Sequence, residues 1–360
     1  MRILQVSAEI FPLLKTGGLA DIAGALPAAL QEAGCDVRVM LPGFPAICAG
    51  LDGAVPVGSF AMPWGERVEV VYGTLPALAR EGRTLGAYVL IAPGLYDRPG
   101  NPYEDANKQA YGDNHRRFAA LGLAAAHVAH GLDAQWRPQL VHSHDWHAAL
   151  APASLALWNE GRGPHVPSVY TVHNLAYQGV FGPEHFGDLG LPGRAFHVHG
   201  MEFHGQLSFM KAGLFYANHV TTVSPTYAHE IQGPEQGCGL DGLLRARHQH
   251  LSGILNAVDD SVWNPATDTL IAHRFDARHM AGKAQSKAAL QAEMGLALEP
   301  DAPLFAVVSR LTEQKGLPLV LAAVDEIVSR GGQLLVLGSG ETGLEQAFVA
   351  QAKANQGRVA

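Results

Sequence analysis

The sequence predicts an α/β protein built on parallel sheets, and three observations carry that prediction. Short apolar runs rich in β-branched residues recur along the chain with helical patterns between them. The first run leads through a glycine loop straight into a helix, the opening of a βαβ unit. A second alternation of the same kind begins beyond residue 300, after a stretch without clear period.

The opening segment "MRILQVSAEI" places Ile3, Leu4 and Val6 in a strand. The loop "KTGGLAD" follows, then a helix from about Asp21 to Ala33 and the strand "DVRVML". Strand-like runs continue at "RTLGAYVLIAP", "QLVHSH", "PSVYTVHN", "HVTTVSP" and "LSGILN", with helical stretches such as "RRFAALGLAAAHVAHGL" between them. This defines a first domain over residues 1–258. The segment "NAVDDSVWNPATDT", rich in Pro, Asn and Asp, reads as a connection over 259–268. From 269 to 360 come the helix "GKAQSKAALQAEMGL", the strands "PLFAVVSR" and "QLLVLGSGE", the helical stretch "LPLVLAAVDEIVSRG" and a last helix. Two strands are a thin basis for an independent domain whose parallel sheet needs cover on both faces, so this part is expected to be incomplete or to lean on the first.

Composition narrows the function. A 360-residue chain with 48% hydrophobic residues is long enough for two domains with large cores. A net charge of −8 argues against nucleic acid or an anionic membrane as partner. No apolar run reaches membrane-span length and no signal-peptide layout precedes the first strand, so a cytoplasmic location is expected. Cys35, Cys48 and Cys238 are scattered and odd in number, which implies neither a disulfide framework nor a zinc cluster.

Chemistry-bearing residues collect where strands end. In open α/β sheets ligands bind beyond the carboxyl ends of the strands. There, Lys15, Gly17, Gly18 and Asp21 form a loop and first helical turn in which glycines let a backbone approach a ligand and Lys15 adds a positive charge. Two readings fit: a phosphate or sugar site, or a tight turn. The loop is neither the dinucleotide fingerprint nor a P-loop, and the second strand ends in Met40, Leu41 and Pro42 without a ribose-binding acid, which disfavours a nicotinamide enzyme. "LVHSHDWHAAL" sets Asp145 just past a strand among His142, His144 and His147, and "YTVHNLAYQG" delivers His173 and Asn174 to the same edge. The histidine cluster admits a metallo-hydrolase reading, but Trp146 stands between the acid and the last histidine, and histidines serving in packing and hydrogen bonds fit better. In the second part, "VVSRLTEQKG" presents Arg310 and Lys315 after a strand, a fork and a point charge suited to a diphosphate, or equally a solvated surface pair.

Taken in order, "KTGGLAD", "HDWHA", "TVHNLAYQG", "HVTTVSPTYAHEI", "GLDGLL", "GILN", "WNPATD" and "SRLTEQKG" resemble the bacterial glycogen synthase and plant starch synthase family over nearly the whole chain. The resemblance implies a GT-B architecture, two Rossmann-like domains facing across a cleft. It implies a retaining glucosyltransferase that moves glucose from ADP-glucose to the non-reducing end of an α-1,4-glucan such as glycogen, with no metal or other cofactor. By the same resemblance Lys15, Gly17, Gly18 and Asp21 belong to the donor loop, Arg310 and Lys315 hold the diphosphate, and Asp145, His173 and Asn256 lie near the transferring glucose and acceptor. Tyr96, Tyr103 and Tyr177 are offered for sugar stacking, with core packing the better account of each. No residue suggests itself as a covalent nucleophile, so front-face displacement is the expected route to retention. Family members continue past the point where this sequence stops, through a conserved acid and a second glycine-rich loop, so the second domain is expected to be truncated. The alternative is a truncated, inactive paralogue that binds glucan or nucleotide without turnover. Oligomeric state and the choice between ADP and UDP donors are not legible.

Overall fold

A computed structural model describes residues 1–158 and 165–360. The chain divides into two compact units, Met1–Ala257 and Val258–Ala360.

The first unit is built on strands β1 (Arg2–Val6), β2 (Asp36–Pro42), β3 (Asp52–Ala61), β4 (Arg67–Arg80), β5 (Arg83–Ile91), β6 (Leu140–His144) and β7 (Ser168–Val172). The short strands β8 (Val180–Phe181), β9 (Glu202–Phe203) and β10 (Gln206–Ser208) follow, and then β11 (His219–Thr222) and β12 (Leu251–Gly253). Nine of these form one sheet in the order β12-β11-β7-β6-β1-β2-β5-β4-β3, while β8, β10 and β9 make a small antiparallel sheet. From β12 to β5 every neighbouring pair is parallel. Such strands are covered on both faces, and β1 shows it: Ile3, Leu4 and Val6 are all buried.

The antiparallel edge made by β3 and β4 was not foreseen from the sequence. Pro56 and Gly58 interrupt the pattern of β3, and the register with β4 shifts between these two residues. An edge strand tolerates such residues because its outer hydrogen-bonding side has no neighbour to satisfy.

Helix Asn114–Ala129 lies almost wholly buried, which explains its run of small residues. A Cβ added at Gly122 would meet the Leu150 Cβ at 2.8 Å and the Ala151 backbone nitrogen at 2.9 Å, so glycine permits the close approach to helix Leu150–Trp158. Arg117, 1% exposed, turns its guanidinium inward to the carbonyls of Leu95 and Pro102 at 2.7 and 2.8 Å and to Asn114 Oδ1 at 2.7 Å. A buried cation is tolerated only with such saturation, and here it ties the 95–102 segment to the helix.

Chain order fixes where a ligand belongs. From β1 the chain builds outward through β2 to β5 on one side, then returns to β6 on the other. The gap between β1 and β6 is the topological switch point, where open α/β sheets place their crevices.

The second unit carries β13 (Leu304–Val308) and β14 (Gln333–Leu337), paired in parallel, with helices Ala281–Glu293 and Thr342–Ala354. The helical stretch foreseen between the strands is two short helices, Leu317–Ala322 and Val324–Ser329. Small clusters around Leu317, Phe348, Val324 and Leu334 form its core, and Phe305 and Val308 on β13 stay exposed. Among the described residues no helix is long and apolar enough to cross a membrane.

Candidate active site

Three segments meet at the carboxyl edge of the first sheet because β1, β6 and β7 are adjacent and in register, with Val6 opposite Ser143 and His144 opposite Thr171. They are the loop after β1, the turn after β6 and the turn after β7.

The loop after β1 presents Lys15 and then Gly17 and Gly18, where helix Gly18–Glu32 begins. Gly17 sits at φ −159°, an extended conformation open to any residue, and Gly18 is already helical, so the loop makes no positive-φ turn that glycine alone could adopt. A Cβ at either glycine would have no atom within 4 Å. Neither the backbone nor its neighbours demand glycine here, so what the two glycines keep clear is space outside the protein. Lys15 Nζ pairs with Asp21 Oδ1 at 2.8 Å and lies 5.4 Å from the Phe11 ring centroid. Both partners of this pair are about one-third exposed, so the pair is a weak restraint that a ligand anion can displace.

The turn after β6 holds Asp145 in the left-handed region at φ +55°, a conformation that Asp tolerates better than most residues. Its Oδ1 accepts from the backbone N–H of His173 at 2.7 Å and of Asn174 at 3.4 Å. Asp145 thereby locks the β6 turn to the β7 turn. Burial pushes its pKa up, against the lowering influence of His173 and those two amides.

Around it the histidines form a chain. His142 Nε2 lies 2.7 Å from Thr171 Oγ1, which is 2.6 Å from Thr221 Oγ1. His144 Nδ1 lies 3.1 Å from His173 Nε2, so one of these rings donates to the other. Burial lowers the pKa of His142 to about 4 and of His147 to about 3, and it lowers those of His144 and His173 as well. These imidazoles are therefore neutral near pH 7, able to donate or accept but carrying no charge. His147 stacks on Tyr103 at 4.6 Å between centroids and packs edge-on against Phe118.

A metal reading needs ligand atoms drawn together. Among the described residues, His115, His185 and Asp188 satisfy that spacing, with one ligand atom each within 4.8 Å. The Asp188 oxygen that faces His115 at 3.0 Å also accepts from Arg116 Nε at 2.7 Å, so a guanidinium already supplies the positive charge there.

The remaining foreseen residues fall elsewhere. Asn256 follows β12 and is exposed. Arg310 and Lys315 belong to the second unit, and both are exposed. Arg310 comes two residues after β13, and Lys315 closes a short 3₁₀ turn, Glu313–Lys315, ahead of Gly316 at φ +73°. Tyr96 is 1% exposed, donates to the Arg117 carbonyl at 2.6 Å and packs on Phe44, so it serves the core. Tyr177 is 44% exposed. Sequence reasoning missed Glu9, a 2% exposed acid whose carboxylate accepts from Thr16 and Tyr103. The signal available was an acid three residues beyond an apolar strand, in "QVSAEI".

The family profile of the starch synthase catalytic domain matches residues 2–246. A glycogen synthase of Variovorax paradoxus is 63% identical over 98% of this chain and 72% of its own length. Glycogen synthases of Leptothrix cholodnii and Edwardsiella ictaluri are 59% and 54% identical, over 97% and 100% of this chain and 72% and 73% of theirs. Among solved structures, the catalytic domain of starch synthase IV from Arabidopsis thaliana, bound to ADP and acarbose, superposes with a TM-score of 0.85 at 28% identity. The match covers 98% of this chain and 71% of that one. The α/β fold is thus of the GT-B type expected from the motifs. The chain belongs to the glycogen and starch synthase family, glycosyltransferases that transfer glucosyl units in glycogen synthesis.

Proposed function

We propose that the chain transfers glucose from ADP-glucose to the non-reducing end of an α-1,4-glucan with retention of configuration, in the cytoplasm and without a metal or other cofactor. The observation that carries this reading is the convergence of the Lys15 loop, Asp145 and His173 at the adjoining ends of β1, β6 and β7. The ADP and acarbose in the Arabidopsis neighbour support a nucleoside diphosphate and a glucan-like ligand here.

In this reading the bond between the anomeric carbon and the diphosphate oxygen breaks while the acceptor hydroxyl oxygen bonds to the same carbon. The hydroxyl proton passes to the departing phosphate oxygen. Positive character develops on the sugar and negative charge on the leaving ADP. Lys15 in the first unit and Arg310 and Lys315 in the second are assigned to the diphosphate, where fixed cations favour the transition state over the ground state. Gly17 and Gly18 allow the donor to lie against the loop, and Asp21 holds Lys15 in place until the anion arrives. His173, held neutral by burial, hydrogen-bonds the sugar, while Asp145 and Asn256 orient donor glucose and acceptor. Asp145 Oδ1 is committed to two backbone amides as a structural acceptor, and front-face displacement without a covalent glucosyl intermediate is the route this reading assigns.

Calorimetric titration with ADP tests the diphosphate assignment without requiring turnover. Arg310→Ala and Lys315→Ala should each weaken ADP binding by roughly ten- to a hundredfold, the range for a charged hydrogen-bonding group removed from an anion. Unchanged affinity in both would remove these residues from the donor site.

A further inference from the structure

Glu9 is a buried acid with no packing reason to be one. It is 2% exposed, one residue beyond the fully buried Ala8 and one before Ile10. Its two carboxylate oxygens are taken up by the chain's own donors: Oε2 accepts from the Thr16 backbone N–H at 2.5 Å, and Oε1 accepts from the Thr16 hydroxyl at 2.5 Å and from the Tyr103 hydroxyl. Thr16 stands between Lys15 and Gly17. Tyr103 in turn stacks on His147 and approaches Trp146, on the turn that carries Asp145.

We infer that Glu9 is a positioning residue for the glucosyl-transfer site: it clamps the Lys15–Gly17–Gly18 loop from beneath and couples that loop, through Tyr103, to the Asp145 turn. A carboxylate is the group this place needs. It offers enough acceptor lone pairs for three donors at once, whereas a neutral amide would turn an N–H₂ toward one of them. Enclosed by these donors, Glu9 does not itself reach a substrate. Its effect is to hold the loop backbone that lies against open space at Gly17 and Gly18, so that Lys15 is aimed before the donor arrives. Preorganisation of this kind acts on catalysis more than on global stability.

The inference rests on the reading of Lys15 as a donor contact, and two measurements separate the one from the other. The first is hydrogen exchange of the amides at 13–19, which needs no activity. In Glu9→Gln, exchange there should rise at least tenfold while the amides of β2 and β5 keep their protection. Thr16→Val, which deletes only the hydroxyl donor, should raise it less, and Thr16→Ser should restore it. The second is a double-mutant cycle with Lys15→Ala on kcat/KM for ADP-glucose. If Glu9 acts through the loop, Glu9→Gln should lower kcat/KM at least tenfold alone, mainly in kcat, and less than twofold in a Lys15→Ala background. Unchanged exchange at 13–19 in both Glu9→Gln and Thr16→Val would overturn the clamp. So would penalties that multiply in the double variant. If the wild-type chain transfers no glucose from ADP-glucose, the functional reading fails, and the exchange result still decides whether the clamp exists.

Discussion

Replacing Asp145 separates what its carboxylate does for the fold from what its charge does for chemistry. In Asp145→Ala the His173 amide loses an acceptor at 2.7 Å and the Asn174 amide one at 3.4 Å. A buried N–H left without a partner costs about 1–3 kcal/mol, and the longer bond adds only a fraction of that. Alanine must also hold φ +55°, which costs roughly 1 kcal/mol more than for Asp or Asn. Asp145→Asn keeps the side-chain carbonyl as acceptor and tolerates the left-handed backbone. Both substitutions relieve the desolvation cost that burial imposes on the ionised acid. The Ala and Asn variants therefore differ in hydrogen bonding and backbone strain by about 2–4 kcal/mol, and the volume lost in the alanine variant acts in the same direction. For a unit of this size that corresponds to roughly 5–12 °C in Tm. Scanning calorimetry of the two variants side by side reads the difference directly. An alanine variant melting within about 2 °C of the asparagine variant would refute the claim that Asp145 locks the two turns together.

Lys15→Ala should lower kcat/KM for glucosyl transfer by about 2–4 kcal/mol of transition-state stabilisation, the effect of removing a preorganised charge from a developing anion, with kcat falling more than KM rises. Gly179→Ala should destabilise the first unit by roughly 2–4 kcal/mol in urea unfolding, because Gly179 lies at φ +59° and a Cβ would come within 2.3 Å of the Trp146 ring. Acid should weaken the fold well before carboxylates titrate. Unfolded histidines bind protons below about pH 6.5, whereas native His142 and His147 stay neutral down to about 4 and about 3. Their stabilisation is full above pH 6.5 and falls from there to about pH 4 for His142 and about pH 3 for His147, by up to roughly 1.4 kcal/mol per pH unit for each. Equal unfolding midpoints at pH 7.5 and 5.0 would contradict this.

Much of this was legible because parallel strands declare themselves. The runs that became β2, β5 and β7 are rich in apolar and β-branched residues, as strands covered on both faces tend to be. β3 hid behind Pro56 and Gly58, residues that only its edge position excuses. The Lys15 loop and the Asp145 turn were visible as polar residues at strand ends. Their coupling was not, because Glu9, Thr16 and Tyr103 are brought together by register and loop path, which no local period encodes. That Gly17 and Gly18 make no turn requiring positive φ could not be read from the sequence, since a Gly-Gly pair is compatible with either sign. The histidine cluster invited a metal reading because sequence shows which residues are near one another, but not that His142 is bound to Thr171 and His144 to His173.

The most direct test is transfer of labelled glucose to glycogen by the purified 360-residue chain, with ADP-glucose and UDP-glucose run in parallel. The account predicts incorporation from ADP-glucose that exceeds that from UDP-glucose, is unaffected by chelators and falls sharply in Lys15→Ala. Incorporation that prefers UDP-glucose, or that survives intact in Lys15→Ala, would contradict it.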